Sequence, residues 1–162
     1  MNPERVGIDA LSFYTPRYYL DLAALAEARG VDVNKYRTGI GQEKMSIPPP
    51  DEDVVTMGAS AAHPLARAGL LDDVDLVLFA TESGIDQSKA AGIFVHGLLE
   101  LPSRCRAVEL KQACYSGTAG LQMAAAMVQR GASRKALVIA ADIARYDLGS
   151  PGEATQGAGA VA

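Results

Sequence analysis

Apolar residues along this chain follow two patterns, short dense runs and longer stretches with helical spacing. Dense or alternating runs at residues 6–13, 74–80, 106–110 and 136–141 predict strands. The first carries Val6, Ile8 and Ala10 on one face and Leu11 and Phe13 on the other. The second is almost unbroken. Both therefore read as strands covered on both faces. Asp21 caps a short helix that runs to Arg29, with Leu22, Leu25 and Ala26 inward and Gly30 as its stop. Asp51 or Asp53 caps a second helix. Its stripe of Val55, Ala59, Ala62 and Ala66 is small enough to pack close on a sheet, and Gly69 ends it. A third helix spans 88–99, with Ile93 and Gly97 on one face. A fourth spans 121–130, with Leu121, Ala124, Ala125 and Val128 on one face and Gly131 as its stop. Alternation of strand and helix predicts an α/β fold: a layered, largely parallel sheet covered by helices.

Two stretches fit neither period. Residues 31–50 read as an irregular, solvated loop, and Pro48-Pro49-Pro50 rules out a helix interior there. The same stretch carries Lys35, Arg37 and Lys44, the side chains for a mouth that meets an anionic ligand. Residues 149–157 form a second loop, rich in glycine. The chain then closes on the apolar run Ala158-Gly159-Ala160-Val161-Ala162. Termini are usually polar, so this run suggests a piece or half of a longer protein.

Composition narrows the classes. The 162 residues suit one domain, and 49% apolar content is ample for a core built mainly from Ala, Val, Leu and Ile. A formal charge of −4 gives no nucleic-acid groove, and no apolar run is long enough to cross a bilayer. Two cysteines, Cys105 and Cys114, make neither a disulfide framework nor a metal-ligand pattern, which fits a reducing cytoplasm.

Candidate chemistry collects where predicted strands end. Ala113-Cys114-Tyr115-Ser116-Gly117-Thr118-Ala119-Gly120 lies between a strand and a helix. That puts Cys114 near unpaired N–H groups and the positive end of a helix dipole, a position that favours a thiolate. The other reading of Cys114 is a small buried thiol. Glu82 directly follows the apolar run 74–80, where desolvation suits a carboxylate to general acid/base work, or where it could pair with Lys89. Tyr146 and Thr155 follow the strand at 136–141. In a parallel sheet these positions share the edge where ligands bind. His63 and His96 lie within predicted helices and read as surface or satisfied histidines. A thiolate beside a base can accept an acyl group from a thioester and then lose a proton from the acyl methyl, giving an enolate that attacks a ketone.

Several stretches closely resemble the hydroxymethylglutaryl-CoA synthase family, the thiolase-fold condensing enzymes of the mevalonate pathway. They are Gly30-Val31-Asp32-Val33-Asn34-Lys35-Tyr36, Gly39-Ile40-Gly41-Gln42-Glu43-Lys44-Met45, Thr81-Glu82-Ser83, Ala113-Cys114-Tyr115-Ser116-Gly117-Thr118-Ala119, Ala140-Ala141-Asp142-Ile143-Ala144-Arg145-Tyr146 and Glu153-Ala154-Thr155-Gln156-Gly157-Ala158-Gly159-Ala160. The resemblance makes residues 1–162 the N-terminal segment of such an enzyme, the first half of an αβαβα architecture, with the rest of the fold on a C-terminal part. It implies condensation of acetyl-CoA with acetoacetyl-CoA and water to hydroxymethylglutaryl-CoA and CoA, with CoA thioesters as substrates and no cofactor. By the same resemblance Cys114 becomes acetylated and Glu82 serves as acid/base. Tyr146 lines the acyl pocket, and Asp32 and Thr155 contact the CoA-linked substrate or product. A cytoplasmic homodimer is implied. The family's histidine, which positions acetoacetyl-CoA, lies downstream of residue 162, and neither His63 nor His96 matches it.

Three other readings stand beside this one. A paralogue would add a two-carbon branch to a β-keto group on an acyl carrier protein in polyketide synthesis. A simpler ketoacyl synthase III has no need of a carboxylate at position 82. A non-catalytic half would pack against a second chain and contribute surface only.

Overall fold

The computed structural model describes residues 6–162. Its main sheet has five strands: β1 (Phe13–Tyr14), β4 (Leu76–Ala80), β5 (Arg106–Leu110), β6 (Ala136–Ala144) and β7 (Gly157–Val161), in the order β1-β7-β6-β4-β5. The three central and edge strands β6, β4 and β5 are parallel, with Ala80 level with both Leu110 and Ala140. β7 and β1 run antiparallel at the other edge. A separate antiparallel ribbon pairs β2 (Tyr18–Asp21) with β3 (Lys44–Ile47).

Both faces of the sheet carry helices. On one side α2 (Val54–Arg67) and α3 (Ala91–Leu98) bury Val54, Met57, Ala61 and Val95 against Val77, Phe79, Leu137 and Ile139. Gly58 lets α2 sit on the Phe79 ring, because a Cβ there would come within 2.8 Å of Phe79 Cε2. On the other side α4 (Ser116–Gln129) packs Ala124 on Leu76 and Leu78. A smaller cluster gathers Leu22 and Leu25 of α1 (Leu22–Arg29) with Met45 and Ala154. Ser46 Oγ fastens the ribbon to the main sheet by accepting the Ala158 N–H at 2.8 Å and donating to the Ala158 carbonyl at 2.6 Å. Among the described residues no helix is long and apolar enough to cross a membrane.

The caps expected of α1 are present: the Asp21 side chain accepts the Ala23 N–H, and Gly30 takes the left-handed conformation. For α2 the choice falls on Asp53, which exchanges side-chain and backbone bonds with Thr56 in a capping box.

Several expectations are corrected. Residues 6–13 are not a buried strand. Pairing begins only at Ser12, which exchanges backbone bonds with Ala162, and Ile8, Leu11 and Phe13 stay exposed while Ala10 and Tyr14 pack against the cluster under α2. The sheet is largely parallel, as expected; its antiparallel part arises where the 145–156 connection turns the chain back, so that the apolar run after it becomes β7, antiparallel to β6. Residues 31–50 are not a plain loop. They contain a π-helical segment, Lys35–Ile40, and β3.

The third helix starts at Ala91 rather than 88, because Asp86 Oδ1 holds the Ser88 and Lys89 N–H groups in a turn. Ile93 and Gly97 do share a face of it, and that face is exposed. The fourth helix starts at Ser116 and turns a different stripe inward: Ser116, Gly120 and Ala124 are buried, while Leu121 and Ala125 are exposed.

Candidate active site

Two chains leave the sheet side by side and meet just beyond its edge. The Thr81 N–H donates to the Leu110 carbonyl at 3.1 Å, extending the pairing of β4 and β5 by one residue. The chain then wraps around the Asp142 carboxylate of β6. Asp142 Oδ1 accepts the N–H groups of Glu82 at 2.9 Å and Ser83 at 3.0 Å, the Ser83 hydroxyl at 2.6 Å and the Thr81 hydroxyl at 3.3 Å. Ser83 Oγ in turn accepts the Ile143 N–H. A carboxylate collecting several donors holds this turn rigidly and sends the Glu82 side chain outward.

Glu82 Oε1 accepts the Ala113 N–H at 2.5 Å, which puts the carboxylate against the residue preceding Cys114. Ala113 has φ +46°, in the left-handed region that alanine rarely occupies. Strain of this kind persists where surrounding contacts enforce it. Here the Glu82 carboxylate grips the Ala113 N–H, and the buried Ser116 hydroxyl accepts the Gln112 N–H at 2.5 Å. Cys114 sits in the 3-10 turn Ala113–Tyr115 that leads directly into α4. Its thiol is exposed, as a nucleophile must be. The second thiol, Cys105, is buried, and that burial pushes it above the usual thiol range. The buried-thiol reading thus belongs to Cys105.

Glu82 is exposed, not buried as its place after an apolar run suggested. The alternative partner Lys89 lies over the Phe94 ring, its Nζ 4.0 Å from the ring centre.

Tyr146 and Thr155 stand after β6 as expected, and the hydrogen bonds they make lie within their own loop. The Tyr146 N–H donates to Gln156 Oε1, Thr155 Oγ1 donates to the Gly152 carbonyl, and the Tyr146 ring rests on Gly152. β6 runs four residues past the level of Ala80 before this loop begins. Asp32 is exposed and accepts the Asn34 N–H before the π-helical segment. Lys35, Arg37 and Lys44 are exposed too, and Lys44 Nζ lies 4.2 Å from the centre of the Tyr19 ring. Beside these residues a cavity of about 240 Å³ opens between β3 and the end of β6, lined by Met45, Ile47, Ile143, Arg145 and Gln156 among others. His63 is exposed, and His96 bonds the Pro102 carbonyl at the far end of α3, so neither joins the site. Among the described residues no cluster of His, Cys, Asp or Glu is placed to hold a metal ion.

Sequence reasoning missed Asp142 as a functional residue. The available signal was a carboxylate inside an otherwise apolar strand, where burial demands partners.

Residues 2–162 match the family model described as hydroxymethylglutaryl-coenzyme A synthase N terminal. The chain belongs to the hydroxymethylglutaryl-CoA synthase family. Among the family's members, the hydroxymethylglutaryl-CoA synthase of Enterococcus faecalis is 49% identical over 157 residues, covering 97% of this chain and 41% of the relative. PksG of Bacillus subtilis, a polyketide biosynthesis 3-hydroxy-3-methylglutaryl-ACP synthase, is 39% identical over 171 residues, covering 96% and 40%. The structure of MvaS in complex with 3-hydroxy-3-methylglutaryl coenzyme A superposes with a TM-score of 0.92 at 45% identity, over 97% of this chain and 38% of that one. The mixed, largely parallel sheet between helices is the thiolase-like layering of hydroxymethylglutaryl-CoA synthases. The chain spans about two fifths of the length of the relatives it matches.

Proposed function

We propose that this chain carries the nucleophile and the acid/base of a hydroxymethylglutaryl-CoA synthase. The Cys114 thiolate attacks the carbonyl of acetyl-CoA, CoA leaves as its thiolate, and an acetyl thioester forms on Cys114. Glu82 takes a proton from the acetyl methyl. The resulting enolate attacks the ketone carbon of acetoacetyl-CoA, and the new alkoxide takes up a proton, Glu82 acting now as the acid. Water then cleaves the thioester to Cys114, releasing hydroxymethylglutaryl-CoA and the free thiol.

The observation that carries this reading is the bond from the Ala113 N–H to Glu82 Oε1. It couples the base to the strained residue beside the nucleophile. Tyr146 lines the acyl pocket, while Asp32 and Thr155 contact the CoA-linked substrate. The part of the family's length that lies beyond these residues supplies the histidine that positions acetoacetyl-CoA, and it covers Glu82. The whole protein works as a cytoplasmic homodimer without a cofactor.

The higher identity to the CoA-dependent relative than to PksG supports a CoA-bound acceptor over a carrier-bound one. Labelled acetyl-CoA tests the reading on the natural gene product that carries this chain. Label is expected on the peptide containing Cys114 and absent from Cys114→Ala, with turnover faster on acetoacetyl-CoA than on carrier-bound acetoacetate. Label confined to another peptide would overturn the nucleophile. Preference for the carrier-bound acceptor would overturn the substrate.

A further inference from the structure

A charged side-chain link between distant parts of the chain lies outside the Cys114 site. Glu153, only 5% exposed, accepts from Arg29 Nε at 2.8 Å and Nη2 at 2.6 Å, a two-bond fork between residues 124 positions apart. The same Glu153 Oε2 accepts the Gly149 N–H at 2.9 Å, which folds the 145–156 connection on itself. Each end of the fork adjoins a residue assigned to substrate. Arg29 is the last residue of α1. Gly30 then turns the chain in the left-handed conformation toward Asp32. Glu153 opens the 3-10 turn that ends in Thr155, next to a Gly152 on which the Tyr146 ring sits. Ala154 fills the cluster formed by Leu22, Leu25 and Met45, so the two segments are also packed together at this point.

We infer that Arg29 and Glu153 are positioning residues that set the 145–156 connection, and with it Thr155, relative to Asp32 across the pocket for the CoA-linked substrate. This rests on the reading given under Proposed function. The fork suits the role because a planar guanidinium held by two parallel bonds to one carboxylate fixes orientation as well as distance, which a lysine cannot do. Beyond Ala154 the outer part of the connection is open: Tyr146 is half exposed and Leu148 is 83% exposed. Cys114 and Glu82 hang on a different framework, Asp142 and Ser116, so disturbing the fork should weaken the binding of CoA-linked substrates and leave the acetylation rate at saturating acetyl-CoA alone.

The test compares the natural gene product with its Glu153→Gln and Arg29→Lys variants. Three quantities are read: the rate of Cys114 acetylation at saturating acetyl-CoA, KM for acetoacetyl-CoA, and Tm. Glu153→Gln should raise KM about tenfold or more, as misplaced binding groups do, with the acetylation rate unchanged. Arg29→Lys, which keeps the charge and loses the fork, should raise it less. Unchanged KM in both variants, with a lowered Tm, would make the pair a brace for stability only and would overturn the inference. An equal fall in acetylation and condensation would overturn it as well. If Glu153→Gln fails to fold, Arg29→Lys carries the same comparison. Failure of the parent protein to acetylate Cys114 would strike the proposed reaction instead, and is told apart by that measurement.

Discussion

Asp142 shows how one side chain organises the candidate site. Its carboxylate gathers the Thr81 and Ser83 hydroxyls and the Glu82 and Ser83 N–H groups, and so fixes where the Glu82 carboxylate points. Asn in its place keeps one acceptor oxygen, loses the charge and introduces an N–H₂ facing donors. Asp142→Asn should therefore cut condensation about 100-fold through a misplaced Glu82, with a smaller effect on acetylation of Cys114; separate assays of the two half-reactions check this. The placement of Cys114 and Glu82 was legible in the sequence because each comes shortly after a strand, and parallel strands in register put such residues on one edge. Asp142, Arg29 and Glu153 were not, because their partners lie 59 to 124 positions away and no local pattern records such pairings.

At the scale of elements, local chemistry decided the ends and packing decided the faces. Asp53 rather than Asp51 caps α2, so Asp53→Ala should cost about 1 kcal/mol, whereas Asp51→Ala should leave the thermal midpoint nearly unchanged. Gly58→Ala sets two effects against each other. Alanine favours a helix by about 1 kcal/mol, but the added Cβ meets the fully buried Phe79 ring at 2.8 Å, and overpacking costs about 1–3 kcal/mol. The added Cβ would also meet Ile139 Cγ2 at 3.2 Å, so the second effect wins and a thermal melt should show a net loss. The fork between α1 and the 145–156 connection gives a pH signature. Arg29, then the Gly149 N–H, holds the Glu153 carboxyl down at about 2, against an ordinary 4.5. A depressed carboxyl adds stability that is complete above 4.5 and is lost as the pH falls from there toward 2. Denaturation curves should thus show the parent losing more stability across that window than Glu153→Gln. β2, β3 and the π-helical segment escaped the sequence reading for a related reason. A four-residue ribbon closed over more than twenty intervening residues, and a helix of rare pitch, leave no period to detect.

For the molecule as a whole, alternation of strands and helices was enough to give the α/β layering and the parallel set β6, β4 and β5. It failed at the opposite edge, where apolar residues 6–13 look like a covered strand while Ile8, Leu11 and Phe13 face outward. Apolar content records what a chain can bury, not which surface buries it. The exposed outer face of α4, with Leu121 and Met123, raises the same point. The part of the family's length beyond this chain is proposed to close the site over Glu82, so the account is best tested on the complete natural gene product. The decisive measurement is quantitative mass spectrometry of the Cys114 peptide in Glu82→Ala, after mixing with acetyl-CoA and then acetoacetyl-CoA. The account predicts an acetyl group that forms on Cys114 and stays there, with no hydroxymethylglutaryl-CoA released. Product release at the parent rate from that variant, or no acetyl group on Cys114 in the parent, would contradict it.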